Sequence, residues 1–147
     1  MKVFTFGLEK VLKLKKFHEE EARVELGRAV GVLSELESRL FILGQEQVRA
    51  QTAQFDPAHS VGEMQQYMFY LLRLDNDKEF LLKEITLAEM KVEQTREAFL
   101  EASRERKIMD ELKKKHRMAY HKTMLAEETK DLDEISASSL LRLEKTA

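Results

Sequence analysis

The sequence predicts an all-α chain folded as a long antiparallel two-helix coiled-coil hairpin with an overhanging C-terminal helix, and three observations carry that reading. Of the 147 residues, 35% are charged, where an average soluble domain has roughly 25%. Ala, Glu, Lys, Leu and Arg make up a little over half of the chain, the composition of long helices and coiled coils. Five Gly and one Pro leave too little punctuation for a many-stranded sheet. The absence of Cys excludes a disulfide scaffold and any thiolate ligand or nucleophile, and it fits a reducing compartment.

Helix one is expected over about residues 8–53. Ala22, Leu26, Ala29, Leu33, Leu36, Leu40 and Leu43 follow one another in alternate steps of four and three. That spacing keeps them on one helical face as a heptad seam. Val11, Lys15 and His18 continue the stripe less regularly, which predicts a stutter where the supercoil locally unwinds. Gly27, Gly31 and Gly44 lie off the seam, each costing roughly 1 kcal/mol relative to Ala.

The turn falls at about residues 54–60. Pro57 cannot continue a helix, because it has no amide donor and its ring clashes with the preceding turn. Ser60-Val61-Gly62-Glu63 then has the form of a capping box, in which the Ser hydroxyl takes an orphan amide and the Glu reaches back. Helix two follows over about residues 61–135, a span of roughly 110 Å at ~1.5 Å per residue. Leu81, Ile85, Ala88, Val92, Thr95, Phe99 and Ala102 restate the seam, and Met109, Leu112, His116 and Ala119 extend it. The Ser136–Ser139 stretch should fray residues 136–147. The whole of 1–147 is expected to be a single coiled-coil domain, monomeric at micromolar concentration. Folding about Asp56–Ala58 would set Leu43 near Leu72, Leu33 near Leu82, Ala22 near Val92 and Leu8 near Lys107.

Several functional classes are excluded. The net charge of −2 gives no global nucleic-acid signature. The longest apolar clusters fall far short of the ~20 residues that span a bilayer. A soluble, cytoplasmic protein without direct membrane insertion is expected. His116 and His121 are five apart, so they face different sides of a helix, and no phosphate loop or nucleophile elbow occurs. No enzymatic activity, metal or cofactor is expected.

Two features exceed what two paired helices require. Near the turn, Met64, Met68, Leu71 and Leu72 suffice for the seam, yet Tyr67, Tyr70, Leu74 and Leu81 form a second stripe, with Phe41 close by on helix one. Such an apolar surplus marks a partner site, the alternatives being a tip that folds back or a dimer of hairpins making four helices. At the open end, Lys2, Lys10, Lys13, Lys15 and Lys16 come together with Arg104, Arg106, Lys107, Lys113, Lys114, Lys115, Arg117 and Lys122. Of these, Lys13, Lys16, Arg106, Lys107, Lys113, Lys114 and Arg117 are the candidate binding cations, the alternative being an ordinary solvated face. Glu127, Glu128, Asp131, Asp133 and Glu134 then make an acidic end to helix two.

The run Phe4-Thr5-Phe6-Gly7-Leu8-Glu9-Lys10-Val11-Leu12-Lys13-Leu14, the block Tyr67–Leu74, the Glu105–Lys113 segment with Tyr120, and the late Leu132-Asp133-Glu134-Ile135 occur in that order. Together they resemble the FliJ family of bacterial flagellar export proteins over nearly the whole chain. The resemblance implies a non-enzymatic stalk or adaptor that enters and activates the hexameric flagellar export ATPase. It implies contact with the cytoplasmic domain of the export gate and with export chaperones, at the inner-membrane export apparatus. The basic open end would face the ATPase, and Tyr67, Tyr70, Leu74, Leu81 and Phe41 the gate. The alternatives are the stalk protein of a virulence type III secretion system and a basic coiled-coil hairpin that binds nucleic acid. The latter predicts a steep fall of affinity with salt. A purely structural spacer would have no partner.

Overall fold

The computed structural model describes residues 3–146, which form two helices, α1 over Glu9–Gln54 and α2 over Val61–Thr146. Lys2 of the basic group and Ala147 of the tail lie outside the described residues. The chain is an all-α helical hairpin, with no strand among the described residues.

The connection is built as its residues dictate. The Asp56 carboxylate accepts from the Ala58 amide at 3.0 Å, which sets an Asx turn ahead of α2. The His59 ring Nδ1 donates to the Ala53 carbonyl at 2.7 Å, satisfying one of the last acceptors of α1. The capping box is reciprocal: the Glu63 amide donates to Ser60 Oγ at 3.3 Å, and the Ser60 amide donates to Glu63 Oε2 at 3.2 Å.

The chain comprises two compact units. The first comprises the residues up to His18 with those from Ser103 onward, and the second is Glu19–Ala102. Each side chain in a two-helix seam touches only nearby turns, so compactness is local. In the second unit Leu36, Leu81, Ile85 and Ala88 form the buried cluster, with Leu33 and Leu40 packed on it. Ala29, Val92 and Thr95 extend it. The buried Thr95 hydroxyl is satisfied within its own helix by the carbonyls of Lys91 and Val92, at 2.9 and 3.0 Å.

Three expectations change. There is no stutter in α1: Leu12, Lys15, Glu19 and Ala22 are covered in unbroken steps of three and four, while Val11 and His18 are exposed. Polar side chains at Lys15 and Glu19 had hidden the seam from an apolar count. Helix α2 does not fray at Ser136–Ser139 but continues to Thr146. Ser disfavours a helix interior by only about 0.5 kcal/mol, and neither Gly nor Pro follows. In the first unit, finally, Lys113 rather than Lys107 meets the start of α1, through Glu9.

A Cβ built at Gly27, Gly31 or Gly44 meets nothing within 4 Å. Each Gly→Ala change should therefore stabilise the helix by about 0.5–1 kcal/mol, whereas Leu36→Ala should cost about 2–3 kcal/mol in chemical denaturation.

Candidate functional site

In the first unit, the residues before α1 pack back onto α2. Phe6 is buried and sets its ring edge-on to His116, with centroids 5.5 Å apart. Phe4 lies 5.5 Å from Tyr120, and the Arg117 guanidinium stands 5.8 Å over the Phe4 ring. Leu12, with no exposed surface, anchors the first turns of α1 beneath them. Two ion pairs cross the seam, Lys15 to Glu105 at 2.9 Å and Lys113 to Glu9 at 2.8 Å. The Lys113 hydrogen bond holds the Glu9 carboxyl below the ordinary carboxylate range, with help from the charges of Lys113, Lys13 and Lys16 and against a partial desolvation.

The seven candidate cations therefore separate into two groups. Lys113 is bound to Glu9, Arg106 to Asp110, and Arg117 to the Phe4 ring. Lys113 and Arg117 thus tie α2 to the N-terminal residues, and Arg106 pairs within α2. Lys13, Lys16, Lys107 and Lys114 are exposed and make no ion pair within 4 Å among the described residues. Their charge is available to an anionic surface.

In the second unit the turn-end stripe is not the one expected. Leu74 and Leu81 are each only 8% exposed and belong to the core. Tyr67 is half-buried against the His59 ring at 5.2 Å. Tyr70 Oη donates to Glu46 Oε1 at 3.0 Å. That bond, seconded by burial and the Glu46 charge, pushes the Tyr70 phenol above the ordinary tyrosine range. Phe41 is exposed, as expected. Met64, Leu71 and Leu81 keep their expected places in the seam and Tyr70 is exposed, so only part of the two stripes changes over. Met64, Tyr67, Leu71, Leu74 and Leu81 make the seam, while Met68 and Leu72, assigned to it, are exposed.

The exposed apolar face of α2 in this unit is Phe69, Leu72, Phe80 and Leu87, whose spacing places them on one side of the helix, away from Leu74 and Leu81. Sequence reading missed this face, together with Phe4, Phe6, His116 and Tyr120 as packing partners. For the first group the signal was the Phe69-to-Phe80 spacing. For the second there was no local signal, because Phe4 and Phe6 meet residues more than a hundred positions away.

A two-helix chain with its free cations and its free apolar face in different units has the makings of a docking protein. The family model for the flagellar FliJ protein matches residues 4–145. The chain belongs to that family, and is accordingly a component associated with flagellar protein export. No curated protein and no solved structure matches the chain. No helix among the described residues is long and apolar enough to cross a membrane.

Two titrations test the geometry. Because folding raises the Tyr70 pKa, the stabilisation that goes with it is complete below the ordinary phenol value of about 10 and is lost as pH rises through the raised one. Tyrosinate absorbance should thus show a late phase that Tyr70→Phe removes. Folding lowers the Glu9 pKa, so its contribution is present above the ordinary carboxylate value and lost as pH falls through the depressed one. NMR signals of Phe4 and Phe6 should move in that acidic window, and Glu9→Gln should abolish the movement.

Proposed function

We propose that the chain is a non-enzymatic stalk and adaptor of the flagellar export apparatus. It binds and activates the hexameric export ATPase through the cations of the first unit. Through the exposed face of the second unit it engages the cytoplasmic domain of the export gate. Export chaperones dock on the same chain, and the protein works at the cytoplasmic side of the inner membrane. Family membership supports the setting. The observation that carries the assignment is that the unpaired Lys13, Lys16, Lys107 and Lys114 belong to one unit and the exposed Phe69, Leu72, Phe80 and Leu87 to the other.

The physical logic differs at the two places. A partner inside a ring of subunits in different nucleotide states cannot rely on one tight geometry. Long exposed cations attract broadly, at ~0–1 kcal/mol per pair, and tolerate rotation. They favour the assembled ring through their differential affinity for it, the only way a ligand shifts such an equilibrium. The aromatic and aliphatic face suits a fixed contact instead, since buried Phe and Leu anchors give directional packing. Tyr67 and Tyr70 in the first turns of α2, with Phe41 on α1, contribute to the same contact. Leu74 and Leu81 support it from within.

ATP turnover by purified export ATPase, measured against added hairpin at several ionic strengths, tests the first assignment. Reversing Lys13, Lys16, Lys107 and Lys114 to Glu should leave helicity unchanged and abolish stimulation. Salt should progressively weaken stimulation by the natural protein. Undiminished stimulation by the reversed variant would refute it. For the second assignment, Phe69→Ala and Leu72→Ala should weaken gate binding by about 1–3 kcal/mol each with little change in melting temperature. Leu81→Ala should instead cost about 2–4 kcal/mol of stability.

A further inference from the structure

Helix α2 continues past the last point that the N-terminal residues reach. Phe4 sits on Tyr120, and from Leu125 to Thr146 every residue is exposed. A single helix with no packed face is marginal in water, yet this one is not uniformly polar. Met118, Leu125 and Leu132 follow at intervals of seven and are 63%, 63% and 64% exposed. Seven residues are nearly two turns, so the three side chains lie along one side of the helix. That side faces away from Lys113 and Tyr120, which meet the N-terminal residues.

The charges beside the stripe are ordered. Lys114, Lys115, His121 and Lys122 border its N-terminal half, and Glu128 and Asp133 border its C-terminal half. Lys114, Lys115, Lys122, Glu128 and Asp133 make no ion pair within 4 Å among the described residues. The pattern changes sign about Leu125. A surface that is basic on one side of a point and acidic on the other is complementary to itself when rotated by half a turn about that point.

We propose that this stripe is the contact surface for a second copy of the chain, with the two α2 segments antiparallel and the two-fold axis near Leu125. Leu125 then meets its own counterpart, and Met118 meets Leu132 of the second copy. Lys115 comes opposite Asp133, and His121 opposite Glu128. A parallel arrangement would instead set Lys114, Lys115 and Lys122 against their own copies, which repels. Thr129 and Ser136 interrupt the stripe, so the association is weak, with a dissociation constant on the order of 100 µM. The monomer expected at micromolar concentration is its dilute limit.

Sedimentation equilibrium of the full chain from about 5 to about 500 µM spans that constant. A monomer–dimer equilibrium is expected, and Leu125→Asp should remove it while leaving the circular dichroism unchanged. Lys115→Asp and Asp133→Lys should each weaken self-association about fivefold, a loss of roughly 1 kcal/mol, and combining them in one chain should restore it. Because the chain has no Cys, single cysteines report the direction. Leu125→Cys should oxidise to a dimer with itself. Met118→Cys should cross-link to Leu132→Cys of another chain in preference to itself. A monomer at the highest concentration, undiminished association of Leu125→Asp, or preferential self-cross-linking of Met118→Cys would each overturn the proposal.

Discussion

Everything in this protein depends on a seam one stripe wide. Two paired helices can cover only one narrow face each, and the described core is correspondingly thin: Leu12, Ala29, Leu36, Leu74, Leu81, Ile85, Ala88 and Val92 account for most of it. Ala29 and Ala88 contribute by being small, which lets two backbones approach. Polar residues then serve where apolar ones are missing. Lys15 and Glu105 close the seam with an ion pair, and Thr95 fills a buried position with its hydroxyl turned onto its own helix. Such pairs add little to stability when partly exposed, but they fix register, which a uniform apolar stripe does not.

The same narrowness explains why so much of the chain remains available to partners. Large apolar side chains such as Phe69, Phe80, Leu87, Leu125 and Leu132 are left outside because no third helix covers them among the described residues. Cations that the fold does not consume remain at Lys13, Lys16, Lys107 and Lys114, whereas Lys113 and Arg117 are held by Glu9 and Phe4. Membership of the FliJ family gives these surfaces a setting in flagellar export. Their separation into different units allows a charged contact and an apolar contact to be varied independently.

What could be read from the sequence follows from the range of the interactions. The helix boundaries at the turn were legible because Pro57 and the Ser60–Glu63 box act locally. The seam from Ala22 to Leu43 was legible because it is apolar. Its extension through Lys15 and Glu19 was not, since only the facing helix shows that these polar residues are covered. Near the turn, Met68 and Leu72 compete with Leu74 and Leu81 on adjacent stripes of equal hydrophobicity. Nothing local chooses between them, and the position of α1 decides. The docking of Phe4 and Phe6 on His116 and Tyr120 joins residues more than a hundred positions apart, beyond the reach of any periodicity argument.

The central claim is that stability follows seam coverage and not helix continuity, and amide hydrogen exchange along α2 tests it most directly. At low micromolar concentration, far below the proposed dissociation constant, amides of the α2 segment facing Glu9, Phe6 and Phe4 should be protected up to about Tyr120. Protection should fall steeply from Leu125 onward, although the helix itself continues to Thr146. Uniform slow exchange through Thr146 in the dilute monomer would contradict the account. So would fast exchange in the segment that the N-terminal residues cover.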